Sequence, residues 1–181
     1  MAETVILVDG RNRALGAAEK LDAHRRGLLH RAFSVFLTRP DGRFLLQRRS
    51  LEKYHSGGVW ANSCCGHPRP GERTAAAARR RVGEELRLQC EPALQFTTRY
   101  TGPLDGGMTE NEIVLVYSAP LSGDPAPDPG EVSELAFRSL DEIKEDIVRT
   151  PERVAIWLRH YVSEHEPELR AMTLTAAVSA G

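Results

Sequence analysis

Cysteine is scarce in this 181-residue chain: three residues, two of them adjacent at Cys64 and Cys65. That makes a poor disulfide framework, which excludes a small stapled extracellular fold and points to a reducing compartment with thiols free for chemistry. Long apolar runs are missing too. None approaches the ~20 residues of a membrane span, and no signal-peptide pattern opens the chain. A cytoplasmic protein that is not inserted in a membrane is the expectation. Nor is there an excess of one charge. With 24 Lys+Arg against 25 Asp+Glu the net charge is −1. The chain as a whole has no attraction for nucleic acid or anionic lipid, so neither is expected as a partner. No internal repeat is visible.

What is present fits an ordinary globular protein: 41% apolar and 27% charged residues. A single domain over 1–166, long enough to bury a core, is expected. The small-residue, aperiodic stretch 167–181 is expected to be a poorly ordered C-terminal tail. ETVILVD (3–9) reads as a strand followed by a polar turn. RAFSVFLT (31–38) and RFLLQRR (43–49) flank RPDG, whose Asp41-Gly42 is a hairpin signal. Residues 50–71 have no period and read as one long functional loop. ERTAAAARRRVGEELRL (72–88) predicts a helix, with Ala75, Ala78, Val82 and Leu86 as its apolar stripe and Arg81 and Glu85 one turn apart. Strands are predicted over 93–102, 112–120 and 134–140. One helix follows Ser139, with Glu142 completing a capping box, and a second starts from Thr150 with Pro151 at its first position. Strands interleaved with few helices predict an α+β sandwich, not a parallel βαβ array.

The chemistry concentrates in NSCCGHP (62–68) and TENEIV (109–114). The first sets a thiol two residues from the His67 imidazole in a Gly/Pro-bounded turn. In the second, Glu110 and Glu112 stand two apart on a predicted strand, so their carboxylates share a face. Adding His24 and His30 gives a nitrogen and oxygen donor set suited to Mn²⁺, Zn²⁺ or Mg²⁺. Taken singly, His24 and His30 fit surface or satisfied polar positions and E-x-E fits a solvated strand face, whereas CGHP fixes the His67 imidazole in a tight turn. Neighbours on a strand point oppositely, so only one of Cys64 and Cys65 can face a site; spacing alone does not choose. Arg48, Arg49 and Lys53 precede the loop, and Arg79, Arg80 and Arg81 lie on the helix. Such runs are commonly solvated, or they clamp a phosphate or diphosphate.

GLLHRAFSVFL (27–37), QRRSLEK (47–53), GVWANSCCGHP (58–68), Arg99-Tyr100, ENE (110–112) and TPERVAIW (150–157) together resemble type I isopentenyl diphosphate isomerase. The blocks stand in the family's order from about residue 4 to 160. The resemblance implies the Nudix fold, an α+β sandwich of mixed sheet with flanking helices. Residues 66–88 resemble a degraded Nudix box, with Gly66, Glu72, Arg80, Glu84, Glu85 and Leu88 in place. Arg81 replaces a glutamate of that box and Arg87 its late glycine. The first change argues against a phosphoanhydride hydrolase, and the second removes the residue suited to the turn after the helix.

Carried over position by position, the resemblance implies that His24, His30, His67, Glu110 and Glu112 bind one divalent metal, Mn²⁺, Zn²⁺ or Mg²⁺. It makes Cys65 and Glu112 the two catalytic acid/base groups, with Tyr100 assisting. Glu85 would hold a Mg²⁺ that arrives with the substrate diphosphate. Lys20, Arg49, Lys53 and Arg81 would neutralise the diphosphate, and Trp157 would face a cation. The implied reaction is the allylic rearrangement of isopentenyl diphosphate to dimethylallyl diphosphate in isoprenoid biosynthesis, by a monomer. Two alternatives use the same residues: a Nudix hydrolase of a nucleoside diphosphate derivative, and a module whose Cys/His set holds a structural zinc ion.

Overall fold

A computed structural model describes residues 3–53 and 55–178, with residues 175–178 as backbone only. The chain runs β1 (Thr4–Val8), β2 (Ala14–Glu19), α1 (Lys20–Arg25), β3 (His30–Thr38), β4 (Phe44–Arg49), β5 (Trp60–Ala61), β6 (Cys64–Gly66) and α2 (Thr74–Leu86). It continues through β7 (Ala93–Pro103), β8 (Thr109–Pro120), β9 (Val132–Arg138), α3 (Leu140–Arg149), α4 (Ile156–Glu164) and α5 (Glu166–Val178).

β3 is the strand on which the rest is assembled. Its near-continuous burial is that of a central strand covered on both faces. One edge pairs in parallel with β8 along its whole length, from His30↔Glu112 to Thr38↔Pro120. The remaining pairings are antiparallel. β3 meets β1 at Leu7↔His30, β6 through Ser34↔Cys65, and β4 at Thr38↔Phe44. β4 then diverges to pair with β5 and β9. The fork between β3 and β4 is the opening into which the candidate site is built.

Alternation along β3 divides the core in two. Ala32 and Phe36 pack with Leu46, Tyr100, Trp157, Leu158 and Tyr161 on the α3–α4–α5 side. Phe33, Val35 and Leu37 pack with Leu45, Cys64, Ala78, Val82 and Leu86 on the α2 side. Fully burying one such side chain contributes roughly 1.5–3 kcal/mol, so the two layers are the main source of stability.

Four expectations change. The polar turn after the first strand opens an edge strand, β2, paired with β1, and then the short α1 capped by Glu19. The long loop 50–71 contains β5 and β6. Thr150–Pro151 starts only a short 3₁₀ turn, because Val154 and Ala155 are held extended and buried against Trp60 before α4 can begin. Finally, an irregular tail from 167 is corrected. α5 occupies Glu166–Val178, and Leu169 and Met172 are buried in the core beneath it. Residues 179–181 of that stretch lie outside the described residues.

The capping box of Ser139 and Glu142 forms as read. The turn after α2 also forms without its glycine. Arg87 takes the left-handed conformation (φ 57°, ψ 28°), at a cost of about 1–2 kcal/mol for a residue with a Cβ. Among the described residues, no helix is long and apolar enough to cross a membrane.

Candidate active site

The pairings of β3 decide which side chains meet. His30, Ala32, Ser34 and Phe36 point to one face, and strand partners point with them. Cys65 is the partner of Ser34, and Glu112 is the partner of His30. Cys65 and Glu112 therefore project to the same face from opposite edges of β3, offset by four residues, about 13 Å of strand. Cys64 pairs with Val35 and is buried on the other face against α2. The pleat thus chooses between the two thiols. Cys65, Glu112, Tyr100, Trp157 and Tyr161 line one cavity of about 640 Å³.

At one end of that cavity lie the imidazoles. α1 carries His24, β3 starts at His30, and His67 follows Cys65 by two residues on the same face. His24, His30 and Glu110 are buried. Nδ1 of His24 is 2.6 Å from the Lys20 carbonyl and Nδ1 of His30 is 2.8 Å from that of Leu28. Those contacts aim both Nε2 atoms inward. One donor atom from each of His24, His30, His67 and Glu110 lies within 4.8 Å of all the others. His24 Nε2 is 3.0 Å from Glu110 Oε1.

Glu112 stands beside this cluster. Its Oε1 is 2.8 Å from His67 Nε2 and 3.4 Å from His30 Nε2, and its Oε2 accepts a 2.8 Å bond from the Tyr100 hydroxyl. His30 Nε2 and Glu110 Oε1 are buried with imidazole–carboxylate contacts around them, Glu112 Oε1 at 3.4 Å from the first and His24 Nε2 at 3.0 Å from the second. Atoms of that kind, in a dry place with nitrogen and oxygen donors converging, fit a divalent cation.

Electrostatics sort these groups. Burial holds His67 well below the ordinary imidazole range, assisted by Lys20 and His30. Burial opposes protonation of His30 as well, but the hydrogen bond and charge of Glu112 outweigh it and raise that imidazole. Burial would lift Glu112; its contacts with His30 and Tyr100 win and hold the carboxyl low. Cys65 is the opposite case. Burial pushes its thiol up to about 12, against the lowering effects of Ser34 and Arg49. The resting pair therefore carries a proton on sulfur and none on the carboxylate.

The other end of the cavity is cationic, and each cation has an internal carboxylate or carbonyl against it. Lys20 pairs with Glu3 at 2.9 Å, and Lys53 pairs with Glu131. Arg81 contacts Glu84, Glu85 and Glu131. Arg49 donates to the carbonyls of Ser56 and His55, and its guanidinium lies 5.3 Å from the Trp157 ring centre. Glu85 is buried within α2, and burial raises its carboxyl despite Arg81. Gly66 matters here for space. A Cβ would stand 3.1 Å from Phe33 Cζ, so a side chain at 66 would force that ring to give way, while 3.6 Å from Arg81 Cγ is ordinary contact.

A NUDIX domain model matches residues 28–159. Isopentenyl-diphosphate Delta-isomerase from Streptomyces griseus is 45% identical over 179 residues, covering 95% of this chain and 89% of that protein. The protein of the same name from Pectobacterium atrosepticum is 43% identical over 155 residues, covering 86% and 87%. The chain belongs to the isopentenyl-diphosphate Delta-isomerase family, within the Nudix fold. Solved structures agree on the fold. A Deinococcus radiodurans protein superposes with a TM-score of 0.75 at 20% identity, over 89% of this chain and 98% of that one. MutT NUDIX hydrolase from Burkholderia pseudomallei gives 0.60 at 23%, over 76% and 98%.

Sequence reading missed several side chains of this isomerase-family cavity. His55 is buried at the metal-cluster end, its ring centre 5.6 Å from that of His24. Burial holds it low, at about 3. Asn62 and Ser34 are hydrogen-bonded to the Cys65 sulfur, and Ser34 in turn to the Tyr161 hydroxyl. Glu131 bridges Lys53 and Arg81. Asn62 stood in view inside NSCCGHP, but its spacing carried no chemical signature. Glu131 lies in a Pro/Gly loop, where nothing marks a pocket residue.

Proposed function

We infer that this protein is an isomerase that converts isopentenyl diphosphate to dimethylallyl diphosphate by protonation and deprotonation through a tertiary carbocation. The observation that carries the reading is the placement of Cys65 and Glu112. Each is on its own edge of β3, and both face one cavity. The rearrangement needs that arrangement: C4 of the alkene gains a proton, C3 becomes cationic, and C2 loses a proton to restore a double bond. A donor and an acceptor must therefore reach C4 and C2, both neighbours of C3, from opposite faces of a flat alkene. Cys65 and Glu112 fill those roles, and the Tyr100 hydroxyl steadies Glu112 Oε2.

Water would trap the cation, so the walls must be dry and electron-rich. Trp157, 4% exposed, and Tyr161, 1% exposed, supply that lining. An indole facing a desolvated cation is worth about 2 kcal/mol. Lys20, Arg49, Lys53 and Arg81 bind and orient the diphosphate, which fixes the reacting carbons relative to the thiol and the carboxylate. A divalent ion, Mn²⁺, Zn²⁺ or Mg²⁺, would be held by His24, His30, His67, Glu110 and Glu112, and when bound it supplies charge that orients and tunes the Glu112 carboxylate. Glu85 offers a hard oxygen donor to the Mg²⁺ that accompanies the diphosphate.

The Nudix hydrolase alternative is less well supported. A hydrolase of that type gathers several carboxylates around metal ions, whereas here the Arg81 guanidinium occupies the centre of Glu84, Glu85 and Glu131. The proposal extends to a cytoplasmic, monomeric enzyme that supplies dimethylallyl diphosphate to isoprenoid biosynthesis. Purified protein incubated with Mg²⁺ and isopentenyl diphosphate in D₂O tests it by NMR. The expected result is deuterium in a methyl group of the allylic product. No exchange, or phosphate release from nucleoside diphosphate derivatives in its place, overturns it.

A further inference from the structure

Asn62 is fully buried three residues before Cys65, in the turn between β5 and β6. Its amide orientation is fixed from one side. Nδ2 donates to the Val35 carbonyl at 3.0 Å and to the Cys64 carbonyl at 3.1 Å, which uses both of its N–H groups. Oδ1 then points toward Cys65 and Trp157, two residues that line the cavity. There it accepts two bonds, from Cys65 Sγ at 3.1 Å and from Trp157 Nε1 at 3.2 Å. A carbonyl oxygen has two lone pairs, so this acceptor is full. The thiol and the indole come from residues 92 positions apart and meet at one atom of a side chain that touches neither end of the diphosphate clamp.

From the isomerase reading above, and resting on it, we propose that Asn62 is a positioning residue for the allylic rearrangement. Its single acceptor oxygen fixes the direction of the Cys65 S–H and the plane of the Trp157 indole together. The thiol form of Cys65 occurs once in every turnover, whichever carbon exchanges first, and in that form Asn62 Oδ1 is its acceptor. The Ser34 hydroxyl lies 3.4 Å from Sγ and is itself bonded to the Tyr161 hydroxyl at 2.9 Å. It can donate to sulfur, which the Asn62 oxygen cannot. The two neighbours thus divide the work: Asn62 accepts the hydrogen bond of the resting thiol, which keeps its proton, and Ser34 donates to the sulfur when that proton has moved to carbon. Without that oxygen the sulfur and the indole are free to shift against the alkene carbon, and displacements of about 1 Å at a reacting centre cost on the order of 100-fold in rate.

The S–H stretch gives a readout that a purely structural role would leave alone. Infrared difference spectra between each protein and its Cys65→Ser counterpart isolate the Cys65 band, since the Cys64 and Cys90 bands cancel. In folded Asn62→Ala the band is expected to move to higher wavenumber as the acceptor is lost. kcat for isopentenyl diphosphate should fall on the order of 100-fold while KM stays within about two-fold. Asn62→Ser, which keeps a hydroxyl for a backbone carbonyl but is too short to reach Sγ, should behave the same way and carries the test if the alanine variant does not fold. An unmoved band in a folded variant, or a loss confined to KM, overturns the proposal. Failure of the isomerase reading itself is separate: it appears as no deuterium incorporation by the unsubstituted protein, before any variant is compared.

Discussion

The two ends of the cavity are built on different terms. The end with His24, His30, His67, Glu110 and Glu112 sits mostly on paired strands. His24, His30, Glu110 and Glu112 are each no more than 6% exposed, and the Nδ1 atoms of His24 and His30 are aimed by backbone carbonyls. The cationic end, proposed to take the diphosphate, is made of long side chains on helices, on a strand end and in a loop, each resting on an internal carboxylate or carbonyl. Where a proton must reach a particular carbon, the fold supplies rigid strand geometry. Where an anion must be gripped and released, it supplies side chains that can exchange one carboxylate for a phosphate oxygen.

Substitutions should separate the two ends. The largest effects belong to the chemical groups. Cys65→Ala and Glu112→Gln are each expected to lower kcat by about 10²–10⁴-fold, followed as deuterium uptake into product. Cys64→Ala, on the opposite face, should keep most of the rate, and the reverse ranking would place the wrong thiol at the site. Next comes the ion. His67→Ala should lose the divalent metal measured by elemental analysis, and chelated wild-type protein should melt lower. A ligand at 100 times its dissociation constant stabilises by about 2.7 kcal/mol, and an unchanged melting curve would deny that these residues hold one.

A smaller effect is expected at the other end, and of opposite sign. Glu131→Gln removes the counter-charge of Lys53 and Arg81, so inorganic pyrophosphate should bind several-fold tighter, in the range of about 1 kcal/mol typical of part-exposed pairs. Weaker binding, read by calorimetry, would mean that Glu131 serves the anion instead of competing with it. The smallest effect is structural. The hydrogen bonds of Arg80 hold the Glu72 carboxyl below the ordinary glutamate range. A depressed folded-state value means that the stabilisation is present at neutral pH and is lost as pH falls through it. Glu72→Gln should therefore cost at most about 1 kcal/mol at pH 7 and nothing in strong acid, measured by denaturant unfolding.

Much of this was legible in the sequence because alternation along a strand is a local property. E-x-E at 110–112 forms on β8 as read, and the apolar stripe of α2 packs as its spacing predicts. The histidine and glutamate cluster, the Cys65 thiol, the cations Lys20, Arg49, Lys53 and Arg81, and Trp157 all line or adjoin the cavity. What was not legible depends on contacts between distant segments. The choice of Cys65 over Cys64 by geometry needed the register of β6 on β3. α5 reads as an aperiodic tail because only Leu169 and Met172 among its described side chains are buried. The role of Asn62 arises from partners at 35, 64, 65 and 157, which no local pattern connects.

A flat alkene fixed between a sulfur and a carboxylate can give up only one of its two C2 hydrogens. Isopentenyl diphosphate carrying deuterium at a single, defined C2 position distinguishes this directly by NMR of the product. Complete loss from one stereoisomer and complete retention from the other is the expected result. Equal loss from both would contradict a fixed donor and acceptor at opposite edges of β3.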